Sequence, residues 1–418
     1  MRTIRIKRVF IALFLGLISS IYCAHAQIPS VIDDNMSIKG DSLMNQKLYS
    51  EAIQAYQIAL ITSKDKELIV KYAHALHMNA EYKSEILAYE DILNGTPDDM
   101  SILLKKGIAL TSLGNLDDAI TVYRFCLTID SLKPEIWFQM GKTFQVGQYH
   151  DNASQCLMKA IIIKNTYAEA YQELGTSLLA LNNIDTAIIS FRIALQTDST
   201  LSEAWLGLGN ALNRSKQTDK AMKAYKQAIM MKPDYSEAFN NLGMLYYSIE
   251  QPDSAISAIN SALTFDLENP VYYNNAGLVT LSLGDTLRAF KFFRNALLYD
   301  SLYIKALYNA GLSLHYLQKD RDAIEFFQKV LAIDSKQAEY WYALGLSHAS
   351  LQDNVSAMGY WQKASELEPK NGEYWFAMGT IYAKNGDTKQ QKKLFKKAAK
   401  LGSIGAKNWL KYNSTYKR

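Results

Sequence analysis

Small and apolar residues recur along this chain at a fixed step of 34 positions. Within each period, two stretches carry apolar residues every three or four positions, which is the spacing of one face of an α-helix. A sustained period of this size is typical of proteins built from repeated supersecondary units. The pattern therefore predicts an all-α chain of consecutive helix pairs. The clearest marker of the period is a glycine column, formed by Gly107, Gly141, Gly175, Gly209, Gly243, Gly277, Gly311, Gly345 and Gly379.

The glycine column lies inside the predicted first helix of each pair. Glycine inside a helix costs about 1 kcal/mol relative to alanine. Nine such glycines at one position indicate that a neighbouring helix approaches there too closely for a side chain. Large residues four positions earlier, such as Trp137 and Trp341, are the expected wedge beside the glycine. We expect small residues on one helix to meet aromatics on the other. The apolar face of the second helix is marked by alanines and aromatics, among them Ala119, Ala187, Ala289, Tyr123, Phe191 and Phe293.

These columns together resemble the tetratricopeptide repeat family. The resemblance implies a right-handed superhelical solenoid of about eleven helix-turn-helix repeats over residues 27–402, with a capping helix and a basic tail over 403–418. The repeats are expected to start near 33, 66, 100, 134, 168, 202, 236, 270, 304, 338 and 372. The second repeat departs from the pattern, because Glu85 stands where alanine is expected.

The first 26 residues have the layout of a secretory signal peptide. Four basic residues precede an apolar run from Val9 to Tyr22, and Ala24 and Ala26 precede the expected cleavage before Gln27. Cys23 raises lipid modification as a weaker alternative, since bulky Tyr22 occupies a position where lipoprotein signals have a small residue. We expect an exported protein of a bacterial envelope, periplasmic, envelope-associated or secreted.

Charge is distributed unevenly along the chain. The formal net charge of +4 is carried by the four basic residues of the leader, so the remainder is neutral on average. Residues 384–418 nevertheless contain eleven basic residues and one acidic residue, whereas residues 27–100 are acidic. A solvated helix face accounts for such a run. The alternatives are contact with an anionic surface at the basic end and head-to-tail self-association. Nucleic acid is the least favoured partner, because the lysines accompany no recognised reading motif.

The sequence contains no motif for catalysis or for a cofactor. It lacks a phosphate-binding loop, a serine nucleophile elbow and a cysteine or histidine cluster at zinc spacing. His74 and His77 share helical spacing but lack a third ligand, which favours a solvated pair. Cys126 occupies a small-residue column and is expected to be buried, and a disulfide to Cys156 is the weaker interpretation. We predict a protein that is not an enzyme and has no cofactor or metal.

The predicted first helices carry a second periodic feature. Asn241, Asn275 and Asn309 each stand two positions before their glycine. An asparagine amide supplies two donors and an acceptor, so a ladder of them can bind the backbone of an extended chain. This resembles the asparagine ladder in the repeats of O-GlcNAc transferases. The alternative is that asparagine is a frequent choice of the family at this site.

Tyrosine-rich positions adjoin the asparagines. In the repeat family, first helices line a concave groove that holds a peptide or a partner helix, and tyrosine is favoured at contact centres. Any one of these residues could instead seal the packing between repeats. The predicted groove residues are Asn240, Asn241, Tyr247, Asn274, Asn275, Tyr308, Asn309, Tyr316, Tyr342 and Phe376.

Asp followed by Ser or Thr recurs in the predicted turns and helix starts. The triplets resemble acceptors of a general O-glycosylation system that some Gram-negative bacteria apply to exported proteins. The same residues are natural helix caps, which is the alternative. The candidate acceptors are Ser42, Ser131, Thr186, Ser199, Ser254, Thr286 and Ser301.

Taken together, these features favour a non-enzymatic protein-interaction scaffold of the cell envelope, with a peptide or partner protein in the concave groove. A carbohydrate-binding or peptidoglycan-associated module is the alternative, since polar and aromatic groove residues would serve it as well.

Overall fold

The structure is a computed structural model that describes the backbone of residues 29–415 and the side chains of residues 35–413. The predicted signal peptide, residues 1–26, lies outside the described residues. Twenty-three helices and no strand lie within 29–415. The first twenty-two helices form eleven hairpins in chain order, each consisting of two helices joined by a short turn. The predicted all-α chain of helix pairs is thus confirmed, while the handedness of a superhelix stays a prediction.

The chain divides into two compact units. The first ends at Ser199 and the second begins at Thr200. Hairpins 1 to 5 belong to the first unit, and hairpins 6 to 11 with a last single helix belong to the second. The helices of the first unit are α1 Pro29–Asn45, α2 Tyr49–Ala59, α3 Lys66–Met78, α4 Tyr82–Leu93, α5 Met100–Leu113, α6 Leu116–Ile129, α7 Pro134–Val146, α8 His150–Ile163, α9 Ala168–Ala180 and α10 Ile184–Thr197. Those of the second unit are α11 Ser202–Arg214, α12 Thr218–Met231, α13 Ser236–Ser248, α14 Pro252–Phe265, α15 Pro270–Ser282, α16 Thr286–Tyr299, α17 Ile304–Tyr316, α18 Asp320–Ile333, α19 Ala338–Ser350, α20 Asn354–Leu367, α21 Gly372–Lys384, α22 Thr388–Lys400 and α23 Ile404–Thr415.

Each hairpin turn contains one residue in the left-handed backbone conformation. Such a residue commonly ends a helix because it lets the last carbonyl groups find hydrogen-bond partners. Glycine occupies this position at Gly114, Gly284 and Gly386, where a positive φ costs nothing sterically. In the other eight hairpins a residue other than glycine adopts this conformation. Those residues are Lys47, Ala80, Gln148, Asn182, Lys216, Glu250, Gln318 and Gln352.

In hairpins 3 to 11 the core forms where the glycine column meets the second helix. A Cβ atom added at Gly175 would stand 2.9 Å from the ring of Phe191, and one at Gly311 would stand 2.7 Å from the ring of Phe327. In both cases the large residue follows sixteen positions later and is fully buried. The predicted close approach is confirmed.

The identity of the wedge differs from the prediction. The tryptophans four positions before the glycine bond instead to the loop that precedes their own helix. Trp137 Nε1 donates to Ser131 O and Trp341 Nε1 donates to Ser335 O, both at 2.9 Å. The space beside the glycine is instead filled by a side chain of the second helix.

The last helix, α23, packs against the second helix of hairpin 11. Ala406 is fully buried, and the Trp409 ring lies edge-on to Phe395 with 4.9 Å between centroids. This contact covers the apolar face that α22 would otherwise expose. The predicted capping helix is confirmed.

Candidate functional site

The predicted asparagine ladder lies on α13, α15 and α17, the first helices of hairpins 7, 8 and 9. Asn241, Asn275 and Asn309 are half-buried, and Asn240 and Asn274, one position earlier, are buried. The step of 34 residues places equivalent side chains on successive hairpins. The structure thus brings the five predicted asparagines into one series on consecutive first helices.

Hydrogen bonds join this series from hairpin to hairpin. Asn275 Nδ2 donates to Asn240 Oδ1 at 2.9 Å, and Asn309 Nδ2 donates to Asn274 Oδ1 at 2.9 Å. Each bond connects the half-buried asparagine of one hairpin with the buried asparagine of the preceding hairpin. The ladder therefore stabilises the stacking of the repeats, a role that the sequence did not predict.

Hairpin 6 begins the series with a residue that sequence reasoning missed. Asn241 Nδ2 donates to Asn210 Oδ1 at 3.1 Å, and the Tyr225 hydroxyl donates to the same oxygen at 2.9 Å. Within hairpin 7, Asn240 Nδ2 donates to Asn241 Oδ1 at 3.2 Å. Asn210 follows its glycine instead of preceding it, so it falls outside the 34-residue column. Its only sequence signal is a polar residue beside the glycine.

These bonds do not use all the hydrogen-bonding groups of the asparagine side chains. A primary amide has two N–H donors and one carbonyl acceptor, and the bonds that Asn275 and Asn309 make to described residues use one donor each. One N–H and the carbonyl oxygen of each side chain are still able to meet a ligand. Because the first donor is anchored, the amide plane is held in place before any ligand arrives.

Aromatic residues continue the series in hairpins 9 to 11. The position held by Asn240 and Asn274 is taken by Tyr308 and Tyr342 in the next two repeats. Tyr308 approaches Tyr340 with 5.1 Å between ring centroids, and Tyr342 approaches Tyr374 with 5.2 Å. Burial raises the pKa of both Tyr308 and Tyr342, so their hydroxyls stay neutral donors at ordinary pH. The polar series thus passes into a tyrosine cluster along the same helix face.

The remaining predicted groove residues have different surroundings. Tyr316 is 60% exposed, whereas Tyr247 packs on the buried cluster around Ile259. Phe376 lies 4.7 Å from the Phe395 ring between centroids, and a Cβ at Gly405 would meet it at 2.8 Å. Phe376 therefore packs beneath α23, which leaves Tyr316 as the most open aromatic among the predicted groove residues.

The candidate acceptors of O-glycosylation are accessible. Six of the seven are exposed and Thr286 is half-buried. The Thr186 hydroxyl already serves local structure, since Oγ1 donates to Asn183 O at 3.0 Å at the start of α10. Exposure permits modification and capping alike, so glycosylation stays a prediction.

In the histidine pair of hairpin 2, His74 is exposed as predicted, whereas His77 has a side-chain partner. His77 Nδ1 lies 2.9 Å from Glu85 Oε2, and the Glu85 side chain is buried. Burial raises the pKa of Glu85, and its hydrogen bond with His77 acts in the opposite direction. Glu85 therefore departs from the alanine column because His77 provides it with a partner. Within residues 35–413 no three histidine, cysteine or acidic side chains converge as a metal site would require.

Both cysteines of the described chain are free and buried. Cys126 and Cys156 belong to one apolar cluster of the first unit. Burial raises the pKa of each thiol to about 11. The prediction of buried thiols is confirmed, and no disulfide joins them.

Among the described helices, none combines the length and the apolar character needed to cross a lipid bilayer.

Comparisons with known proteins identify the repeated unit. Family profiles described as tetratricopeptide repeat match residues 236–269, 304–337 and 360–393, and one described as TPR repeat matches 209–250. The matched segments include hairpins 7 and 9 of the asparagine series. The chain therefore contains tetratricopeptide repeats.

Individual relatives are more distant. A cell division cycle protein 27 homolog from Caenorhabditis elegans is 34% identical over 88 residues, which are 20% of this chain. The chain spans 11% of the length of that relative. Among solved structures, pilF of Pseudomonas aeruginosa is 20% identical, covering 50% of this chain and 94% of that one with a TM-score of 0.46. Yeast Tom70 is 13% identical, covering 90% and 93% with a TM-score of 0.42.

Proposed function

We propose that this protein is a non-enzymatic interaction scaffold, exported to the cell envelope, whose first helices in hairpins 7 to 9 bind an extended segment of a partner protein. The observation that carries the proposal is the hydrogen-bonded asparagine series. It holds amide groups at equivalent places on successive repeats, and those of Asn275 and Asn309 each keep one donor and the carbonyl acceptor for a ligand. An extended peptide backbone offers the complementary acceptor and donor at every residue.

The anchoring of the amides favours binding energetically. A side chain that must be ordered on binding costs about 0.5–1.5 kcal/mol. Asn275 and Asn309 have already lost much of that freedom through their bonds to Asn240 and Asn274. The series is therefore organised in advance for a ligand that runs across the repeats.

The tyrosine cluster supplies a second type of contact. Tyr308 and Tyr342 follow the asparagine series, and Tyr316 exposes most of its ring. Tyrosine offers a large rigid contact area together with a hydroxyl donor. We infer that the amides hold the backbone of the partner and that the tyrosines select among its side chains.

The test needs a probe, because the partner is not identified. We would select peptides from an unbiased display library on the mature chain, residues 27–418, and measure their affinity by fluorescence anisotropy. The triple variant Asn241→Ala, Asn275→Ala and Asn309→Ala should weaken binding by at least about tenfold, since each lost hydrogen bond contributes about 0.5–1.5 kcal/mol. Exposed Asn260 on α14 supplies the matched control, Asn260→Ala.

Two outcomes would contradict the proposal. The triple variant could bind with the same affinity as the control while circular dichroism shows that it is folded. That result would show that the asparagines do not contribute to binding. Binding of peptidoglycan fragments with no selectable peptide would favour the carbohydrate-binding alternative.

Export is a separate part of the proposal. It is supported by the basic and apolar leader before Gln27. Fractionation of a bacterial host expressing residues 1–418 should recover the protein in the envelope or medium with Gln27 as its first residue. A cytoplasmic protein that retains the leader would contradict it.

A further inference from the structure

The second helix of hairpin 11 carries a continuous basic face. Its lysines are spaced by three and one positions alternately, so they lie on one side of α22. All six are exposed, whereas Phe395 and Ala398 on the opposite side are buried. The six are Lys389, Lys392, Lys393, Lys396, Lys397 and Lys400. The face extends over the whole length of the helix.

This basic face is not neutralised within the protein. From 388 to 415 the sequence contains no acidic residue. Asp387, immediately before the helix, accepts a hydrogen bond from Gln390 N at 3.0 Å as its N-cap. Among the described residues these six lysines form no ion pair, unlike Lys71 and Lys106 in the first unit. Lys397 instead lies 3.1 Å from the centroid of the Trp375 ring, a contact that leaves its charge in place.

The adjoining helix α23 adds exposed apolar side chains. Ile404 is 71% exposed and Tyr412 is 63% exposed, while Trp409 and Ala406 attach α23 to α22. Lys407 and Lys411 lie on the same short helix and are also exposed. Lysines combined with exposed aliphatic and aromatic residues are the composition of helices that bind at a membrane surface.

We propose that α22 and α23 dock this protein onto the phosphate headgroups of an anionic lipid bilayer. Lysine is a compact point charge, whereas arginine is favoured where one phosphate is gripped in a bidentate geometry. A face made only of lysines therefore suits a surface of many mobile phosphates better than a single bound ion. The exposed Ile404 and Tyr412 side chains would enter the interfacial region beside the headgroups. This inference does not depend on the asparagine series.

A second copy of the chain is the competing occupant. The acidic first hairpins would be its contact, but several of their carboxylates already have partners. Asp41 binds Lys71 at 2.9 Å, Glu90 binds Lys106 at 2.8 Å, and Asp99 binds Lys66. A second copy would have to compete with these lysines for the carboxylates, so the bilayer is favoured.

The experiment is flotation of the mature chain with lipid vesicles. We expect binding to phosphatidylcholine vesicles that contain phosphatidylglycerol, little binding to phosphatidylcholine alone, and release at high salt. Each lysine near an anionic surface strengthens binding by about fivefold. The variant Lys389→Gln, Lys392→Gln, Lys393→Gln and Lys396→Gln should therefore bind at least about a hundredfold more weakly.

The matched control removes the same charge elsewhere. Lys223, Lys291, Lys305 and Lys336 are exposed in the second unit but scattered over other hairpins. Their change to glutamine should leave vesicle binding within about threefold of the wild type if the face on α22 is the docking surface. Circular dichroism must show that both variants keep the wild-type fold.

Three results would overturn the proposal. Equal binding to vesicles with and without phosphatidylglycerol would exclude headgroup charge as the cause. Equal loss in the two lysine variants would show an effect of net charge rather than of α22. Sedimentation showing oligomers at low salt, lost in the α22 variant, together with no flotation would identify a second copy as the occupant.

Discussion

The side-chain amide of Asn275 donates to the side-chain oxygen of Asn240, one hairpin earlier, at 2.9 Å. Asn309 and Asn274 repeat the bond in the next pair of hairpins at the same length. Residues predicted to bind a ligand therefore also join the repeats. In a solenoid each repeat contacts only its neighbours, so such a bond contributes directly to the coupling between repeats.

Replacing Asn275 should lower the stability of the second unit. Asn275→Ala removes a hydrogen bond worth about 1 kcal/mol and leaves the buried Asn240 carbonyl without its donor. The better helix propensity of alanine offsets about half of this loss. The exposed Asn260→Ala variant has the propensity gain alone, so the difference between the two variants in urea unfolding isolates the bond. Identical midpoints and slopes would mean that the bond contributes nothing.

Replacing glycine by alanine should have opposite effects on stability inside and outside the glycine column. Gly311→Ala would place a Cβ 2.7 Å from the buried Phe327 ring, and overpacking of this kind costs about 1–3 kcal/mol. Gly359, inside α20, has no atom within 4 Å of the added Cβ. Gly359→Ala should therefore gain about 1 kcal/mol from helix propensity. Thermal unfolding of both variants tests the pair, and a loss of stability at both positions would contradict the steric explanation.

The helix hairpins could be predicted from the sequence because the residues that specify them lie close together in sequence and recur periodically. A glycine, an alanine and an aromatic residue at fixed offsets determine which faces are buried, and 34-residue spacing repeats that information in each hairpin. The predicted contact of the glycine with an aromatic residue of the second helix is confirmed, whereas the predicted wedge four positions before the glycine is wrong. Spacing of four within one helix makes Trp341 a neighbour of Gly345 in sequence, but contact across the hairpin is a tertiary property.

The contacts of the candidate site residues were predicted only in part for the same reason. The column of Asn241, Asn275 and Asn309 was visible, but the acceptors Asn240 and Asn274 belong to a different column. The distance of 35 residues between donor and acceptor follows from how two hairpins stack. Likewise, Glu85 was recognised as a departure from the alanine column, while its partner His77 emerged only from the fold.

The buried Glu85 should make the first unit less stable as pH rises. Burial raises the pKa of this carboxyl above its ordinary value of 4.5, so the folded protein binds the proton more tightly than the unfolded chain. Unfolding releases that proton, and the free energy of unfolding falls as pH rises from about 4.5 through the folded pKa. Urea unfolding over this range should show the decline in the wild type and a flatter profile in Glu85→Gln.

A control separates this effect from the titration of the other carboxyls. Glu51 is exposed on α2, so Glu51→Gln should keep the wild-type slope. A profile of Glu85→Gln that runs parallel to the wild type across the same range would show that Glu85 does not carry the pH dependence.

Cys126 and Cys156 should resist thiol reagents for as long as the first unit is folded. Cys126 is fully buried and Cys156 is 5% exposed, and burial raises the pKa of both thiols to about 11. The thiolate is the reacting form, and a rise of about two pKa units from the ordinary value lowers its population about a hundredfold. Maleimide labelling of residues 27–418, which lack Cys23, should therefore be at least about a hundredfold slower than in denaturant. Rapid labelling at low urea would show that this cluster opens without global unfolding, since repeat proteins can lose individual repeats.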